Sequence, residues 1–526
     1  MYYTTKIDTD YSVPFNYHVA TSSEPLIKLA QDVWAGFSDE ERTAVDGKSN
    51  NTSGVTGLVY VQTLLVQLYY HWSVDPRLCI ATPKNTNAVL VNDFYNTNNV
   101  SIRKQRKVLH LLEKHKLIDT TDGFHQRSKS PQKTSSIVSR MRAAKLLNDL
   151  FIKLEVEDFD IDLHSGHRLI EMTDFEADEN GEPIKTNGNK VKLYKPYDET
   201  EPDVAEKIRL LAAYNSLLKR THVDLANTNE PYIIRKKYNK KTKKYEEQRI
   251  PINQINKFTK RVFSRGSWEH HGRFYSGWWQ SVGSAYRKHI RINGNATFEL
   301  DYSSLHPNIL LVEDGLEPKE DVYALTGPRL FEQYDQQEQR KLVKRAVMML
   351  LNAKEITSGH KAFIRSYSSK RKGDPRSKIT LKQFNQLKDA FVQEHPALEK
   401  YLAADQGIRL MNVDSQIMEQ LINNFTSQAI PILCIHDSII LEEKYALLAQ
   451  TELKRATYRV LGTVIPNDQN RLTNDTVQAT YQFNDVPYTL ATMNEHEAAY
   501  PNDETSRHKA NLEAFKAWKL KEGYED

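Results

Sequence analysis

The chain has 526 residues, which at roughly 150 residues per domain predicts about three to four domains. Its 39% apolar and 27% charged residues, with 20 Gly and 19 Pro, exclude wholesale disorder, collagen and a mucin-like stalk. The net charge of +4 is small, but the 72 basic side chains are bunched, and a polyanion responds to local charge.

The longest apolar-rich stretch, Leu58 to Trp72, carries Gln62, Thr63, Gln67 and His71, so it is too short and too polar to span a bilayer. No charged start followed by an apolar run marks a secretory signal. Two cysteines, Cys79 and Cys434, supply neither a disulfide framework nor a cysteine-rich zinc site. The expectation is a cytoplasmic protein without a membrane partner.

Residues 1 to about 50 show little periodicity. Gly57 to Trp72 predicts a helix, and Ser101 is placed to cap another running to about His115. That second helix carries Arg103, Lys104, Arg106 and Lys107 in its first half and Val108, Leu109, Leu111 and Leu112 beyond. Leu117-Ile118 then predicts a strand, Asp122-Gly123 a hairpin turn, and a second strand follows the polar Arg127–Ser136 stretch. Helix, basic helix, hairpin is the order of a winged helix, whose second helix would enter a major groove; a purely structural helical domain is the alternative. Residues 165 to 200 are polar, with turn punctuation at Asp178–Pro183, and predict a boundary. Pro202 to Lys219 predicts a helix. Pro231 to Ile252 predicts two strands joined by a Lys-rich turn, so that Arg235, Lys236, Lys237, Lys240, Lys241, Lys243 and Lys244 cap a hairpin. A third basic run covers Arg365 to Lys378. One such run is as readily a solvated face; three together favour nucleic acid.

The sharpest motif runs from Thr297 to Leu310 (TFELDYSSLHPNIL). Phe298, Leu300 and Tyr302 alternate as in a strand, and Asp301 ends it. Ser303 or Ser304 then caps a helix with Pro307 in its first turn. A carboxylate at such a strand end can hold a divalent cation against a phosphate. The second motif, Ala429 to Glu442 (AIPILCIHDSIILE), reads as two buried strands around a polar turn at His436-Asp437-Ser438. Glu443 to Leu461 follows as an amphipathic helix stopped by Gly462. Between the motifs, Asp335 to Lys354 predicts a helix with Arg340, Lys344 and Met348 on one face. A cationic stripe without nearby carboxylates suits a triphosphate.

Asp301-Tyr-Ser and His436-Asp437 resemble motifs A and C of the family A DNA polymerases, and Arg340 with Lys344 is similar to their motif B spacing. Gly272-Arg273, followed by Arg287, Arg291 and Gly294, resembles that family's Gly-Arg approach segment. Phe391 to Leu402 (FVQEHPALEKYL) resembles its helix between B and C. The resemblance covers roughly residues 260–460, and it departs in three places. Met348 stands where the family has an aromatic, with no Tyr-Gly after it. Motif C reads His-Asp-Ser, as in single-subunit phage-type RNA polymerases. Ser304-Leu-His-Pro also resembles motif A of family B. These departures mark a divergent relative, and a phage or mobile-element origin would fit the divergence.

The resemblance implies an α+β fold: a polymerase right hand, with an antiparallel palm sheet and helical fingers and thumb, behind a winged-helix-like domain. The expected domains are 1–160 (winged-helix-like), 161–259 (thumb-like, with the basic hairpin), 260–465 (palm and fingers) and 466–526 (a charged, peripheral extension). It implies two Mg2+ ions, or Mn2+, held by Asp301, Asp437 and the Tyr302 backbone carbonyl. Arg340, Lys344, Met348 and His306 would bind the nucleoside triphosphate, and Arg273 and the basic segments would bind the DNA template-primer. His306, five residues after Asp301, would wall off the ribose 2′-position, or else serve as a helix-capping or core-edge histidine. His436 either orients the primer end or satisfies its turn. The Phe274–Trp279 aromatics either pack under the palm or stack on template bases. No acidic exonuclease constellation is visible, so proofreading is expected to be absent. The expected activity is DNA-directed DNA synthesis. The alternatives are an RNA polymerase or primase-polymerase on the same palm, and a non-enzymatic DNA-binding initiator or regulator.

Overall fold

The computed structural model describes residues 7–8, 11–47, 55–82, 93–126, 135–177, 183–186, 189–239, 244–368, 373–467 and 504–524. The fold is α+β. Two compact units emerge: Met1–Lys260 with Ser276–Gly294 and Asp503–Asp526, and Arg261–Tyr275 with Asn295–Asn502.

In the first unit, helices α1 (Glu24–Ala35) and α2 (Asp39–Asp46) occupy the stretch that lacked periodicity. Local capping starts both: Ser23 accepts from the Leu26 N–H, and Ser38 with Glu41 forms a reciprocal box. Helix α3 (Gly57–Val74) buries Tyr60, Val61, Leu64, Leu65 and Leu68 in the main core. Helix α4 (Ile102–Lys114) adds Val108, Leu109 and Leu112 to it. Ser101 precedes α4, but its side chain makes no cap bond; its N–H donates to the Tyr60 hydroxyl at 2.6 Å. Strands β1 (Ser12–Pro14), β2 (Cys79–Ala81), β3 (Ile118–Thr121) and β6 (Arg140–Ala143) form one sheet in the order β1-β2-β6-β3. Between β3 and β6, β4 (Phe124–Gln126) pairs with β5 (Ser135–Ile137).

Asp122-Gly123 is therefore not a hairpin turn. It lies between β3 and β4, which pair with the same returning segment, and the Gly123 N–H donates to Ser139 Oγ at 3.0 Å across it. Further along is α5 (Lys145–Phe151). The polar 165–200 region is also no simple boundary: β7 (Ile170–Phe175) pairs antiparallel with β8 (Lys192–Lys195), and Ile170 and Met172 are buried. Helix α6 (Pro202–Lys219) has the predicted limits. The basic ribbon is β9 (Tyr232–Asn239) paired with β10 (Lys244–Pro251). The C-terminal helix, Ser506–Lys521, is not peripheral. Arg507 and His508 both reach the buried Asp224, and Phe515 is 1% exposed.

The second unit is built on three antiparallel strands. β12 (Asn295–Asp301) pairs with β14 (Ser438–Glu442), which pairs with β13 (Leu433–Ile435). Helix α7 (Leu305–Glu313) follows β12, and α11 (Gly407–Ser427) packs on β11 (Ser267–Tyr275). Helices α8 (Gln336–Leu351), α9 (Ile356–Ser368) and α10 (Leu381–Glu394) form a helical layer around Leu350, Phe363, Phe384 and Phe391. The helix expected over Phe391–Leu402 stops at Glu394, because Pro396 biases His395 toward extended backbone, and Pro396–Tyr401 is a 3-10 turn. Helix α12 (Ala446–Leu461) ends at Gly462 with φ +73°.

Candidate active site

Register brings the two motif aspartates together. Asp301 ends β12 directly opposite Ser438, the residue after Asp437. Asp437 itself lies in the two-residue connection between Ile435 and Ser438, which are paired. Hydrogen-bonded strands lie about 4.8 Å apart, so both carboxylates stem from one end of the sheet. His436 makes the reversal with φ +55°, a conformation that costs a non-glycine residue about 1–3 kcal/mol. Its ring meets Tyr275 edge-on at 5.7 Å. The Ser438 hydroxyl donates to Glu299 at 3.0 Å, and Glu299 lies two residues before Asp301 on the same strand face.

After Asp301 the chain turns sharply through Ser304, at φ +51°, into α7. Neither serine caps that helix with its side chain. Instead, the buried Asn308 amide donates to the carbonyls of Ser303 and Lys319, both at 2.9 Å, and pins the turn. Two carboxylates at adjacent strand ends are hard-oxygen donors that fit Mg2+ or Mn2+. The Tyr302 phenol is buried and donates to the Leu453 carbonyl at 2.8 Å, so any part of Tyr302 in metal binding falls to its backbone carbonyl. Among the described residues, no cluster of three or more His, Cys, Asp or Glu side chains is placed to hold a metal.

The Gly-Arg segment has a packing explanation. Gly272 sits at φ +83°, and a Cβ there would lie 2.7 Å from Ser415 Oγ and 2.8 Å from Phe263. Its absence lets α11 close on β11, and the Gly272 carbonyl accepts from the buried Arg261 at 2.8 Å. Arg273 then reaches Asp414 on α11 through Nε, at 3.0 and 3.1 Å, and through Nη2. His306 Nε2 meets the same carboxylate at 2.7 Å. Burial alone would lower the Arg273 pKa, but Asp414, with a further contribution from Asp437, favours the charged form and raises it. Asp437 is thus within electrostatic reach of the Arg273–Asp414–His306 cluster. Nothing in the sequence singles out Asp414; its one signal is an acid between Leu410 and Ile417 on the buried face of α11.

The cationic helix is not free of carboxylates, contrary to the sequence expectation. Arg340 Nη2 donates to Asp321 at 2.9 Å, and Nε to its other oxygen, because the loop ahead of α8 folds back over the helix. Burial would raise the Asp321 pKa, but Arg340, with help from Lys344, holds it below the usual range. Lys344 Nζ lies 5.6 Å from the centre of the Tyr323 ring. Tyr323 is buried, which raises its pKa, and Asp437 adds to the effect. Lys344 and Asp437 therefore converge on one buried phenol that the motifs do not flag. Met348 is 40% exposed on the same helix.

The acids near the motifs are engaged elsewhere. Glu313 pairs with Arg409, and Asp314 with Lys400 and Tyr401. Glu442 is 2% exposed and accepts from Asn295 at 2.6 Å. Phe274, Trp278 and Trp279 are buried, so they pack in cores and are not open to template bases.

In the first unit the basic residues divide. Lys104 Nζ donates to the Val55 carbonyl at 2.8 Å, and Lys107 Nζ to the Ala44 carbonyl at 2.6 Å, so both tie α4 to its surroundings. Arg103 and His110 are exposed. Arg106, His110 and Arg140 line a cavity of about 230 Å³ beside the sheet. On the ribbon, Arg235 and Lys236 are exposed, and Lys237 and Lys244 lie on its two strands. Lys240, Lys241 and Lys243 lie outside the described residues, as does part of the Arg365–Lys378 run.

No protein-family model matches the chain, and no curated protein is significantly similar to it. Among the described residues, no helix is long and apolar enough to cross a membrane.

Proposed function

We propose that this chain is a template-directed nucleotidyltransferase, a DNA-directed DNA polymerase with a divergent family A-like palm and a right-hand arrangement. The observation that carries the reading is the strand register that sets Asp301 and Asp437 at one end of the antiparallel strands β12, β14 and β13. Asp301, Asp437 and the Tyr302 carbonyl would hold two divalent ions. When bound, such ions lower the barrier to attack by a primer hydroxyl and neutralise the leaving pyrophosphate.

The chain's own residues supply orientation and charge. Lys344 offers a point charge to the triphosphate. Arg340 offers a bidentate fork once it exchanges Asp321 for phosphate. In the first unit, Arg103 and Arg106 on a winged-helix-like α4, with Arg235 and Lys236 on the ribbon, would contact the DNA backbone. Such contacts make binding steeply salt-dependent.

The test is extension of a labelled primer on a DNA template with Mg2+, with dNTPs and NTPs in parallel lanes. Extension by dNTPs supports the reading. Binding of duplex without incorporation in any lane would replace it with a non-enzymatic DNA-binding role. Ser438 after Asp437 favours one second reading, an RNA polymerase or primase-polymerase, which NTP incorporation without a primer would reveal.

A further inference from the structure

Arg273, Asp414 and His306 form a cluster whose exposure is graded. The side chain of Asp414 is 0% exposed, Arg273 11% and His306 19%. The carboxylate takes Nε and Nη2 of Arg273 and Nε2 of His306. With carboxylate oxygen 2.7 Å away, His306 Nε2 must carry the proton, since a lone pair there would face a negative oxygen. In the neutral ring, Nδ1 is then a hydrogen-bond acceptor. Arg273 Nη1 remains a donor. Neither Nη1 nor Nδ1 has a hydrogen-bond partner among the described residues.

The cluster borders the two motif aspartates. His306 is in the first turn of α7, which starts just beyond Asp301, and Asp437 acts on the charge of Arg273. A donor beside an acceptor, fixed by one buried anion, matches a group that both accepts and donates. A hydroxyl is such a group: its oxygen accepts from Arg273 Nη1 while its proton goes to His306 Nδ1.

We infer that Asp414 is a positioning residue that aims Arg273 and His306 at the sugar hydroxyl of the incoming nucleotide. This rests on the polymerase reading and deepens it. Asp414 does not touch the substrate; it fixes the tautomer of His306 and the plane of Arg273. A deoxynucleotide carries one sugar hydroxyl, the 3′-hydroxyl, and a dideoxynucleotide carries none. The ratio of kcat/KM for dNTP over ddNTP therefore reads the contact directly.

The experiment uses the full chain with Mg2+ and a primed DNA template, in single-nucleotide incorporation, with thermal melting as a folding control. Asp414→Asn is expected to lower the dNTP/ddNTP ratio by on the order of tenfold, as for loss of a charge-assisted hydrogen bond. Asp414→Glu should restore part of the ratio. If Asp414→Asn fails to fold, Arg273→Lys keeps a cation for Asp414 but removes Nη1, and His306→Phe removes the acceptor; each should lower the same ratio. Wild-type extension with the ratio unchanged in the variants, whether or not overall rates fall, overturns the inference and leaves the polymerase reading standing. A wild type that incorporates neither nucleotide overturns both.

Discussion

Gly272→Ala tests how the site is assembled, because Gly272 faces two separate penalties. At φ +83° an alanine backbone is strained, by about 1–2 kcal/mol. Its Cβ would also lie 2.7 Å from Ser415 Oγ and 2.8 Å from Phe263 Cε1, and both neighbours are packed. Overpacking of that kind costs about 1–3 kcal/mol. Together the substitution should destabilise the second unit by about 2–5 kcal/mol. The displaced element is α11, which carries Asp414 and Glu419, so the ion pairs to Arg273 and Arg261 should loosen with it. Equilibrium urea unfolding by circular dichroism gives the stability change. Amide hydrogen exchange over residues 407–427 localises it. A loss below about 1 kcal/mol, with α11 exchange unchanged, would refute the close-approach explanation for the Gly-Arg segment.

Asp321→Asn should free Arg340 and lower the KM for dNTPs; an unchanged or higher KM would mean that Arg340 does not exchange Asp321 for phosphate. Burial lowers the pKa of His18 and His71 to about 4 and of His164 and His222 to about 3, so each folded value lies below the unfolded one. The stability these groups provide is present above about pH 6.5 and is lost as pH falls, by up to about 1.4 kcal/mol per pH unit for each histidine. Melting temperature should therefore fall between pH 7 and 5, and a rise would contradict this assignment. Arg103→Ala and Arg235→Ala should each weaken duplex binding and reduce the slope of log K against log salt by about 0.9. Lys104→Ala should act on stability instead, since Lys104 is tied to the Val55 carbonyl; equal effects of all three on the salt slope would contradict that division.

Short-range rules make much of the chain legible in its sequence. Pro202 begins α6, Asp335 caps α8 by accepting from the Glu338 N–H, and Gly462 ends α12, each through the residues immediately around it. The strand–Asp–turn–helix at Asp301 and the strand–His-Asp–strand at Asp437 are readable for the same reason. Their pairing through β12 and β14 joins residues far apart in sequence, and only the family resemblance anticipates it. Asp122-Gly123 looks like a hairpin turn because the rule sees two flanking strands and cannot see that both pair with a later segment. Helices α1 and α2 escape a periodicity reading although Ser23, Ser38 and Glu41 cap them, because their apolar faces are short. Asp321 and Asp414 are invisible in the sequence as partners of Arg340 and Arg273. A carboxylate in a loop or on a helix says nothing of the cation it will meet, and each lies 19 or more residues from its partner.

The central claim is that Asp301 and Asp437 form a metal-dependent nucleotidyl-transfer site. Its most direct test is primer extension by wild-type protein, Asp301→Asn and Asp437→Asn across a Mg2+ titration, with duplex binding measured on the same samples. The account predicts Mg2+-dependent dNTP incorporation by the wild type, its loss in both variants, and nearly unchanged duplex affinity. Near-full extension by either variant, or no incorporation by the wild type at any Mg2+ concentration, would contradict it.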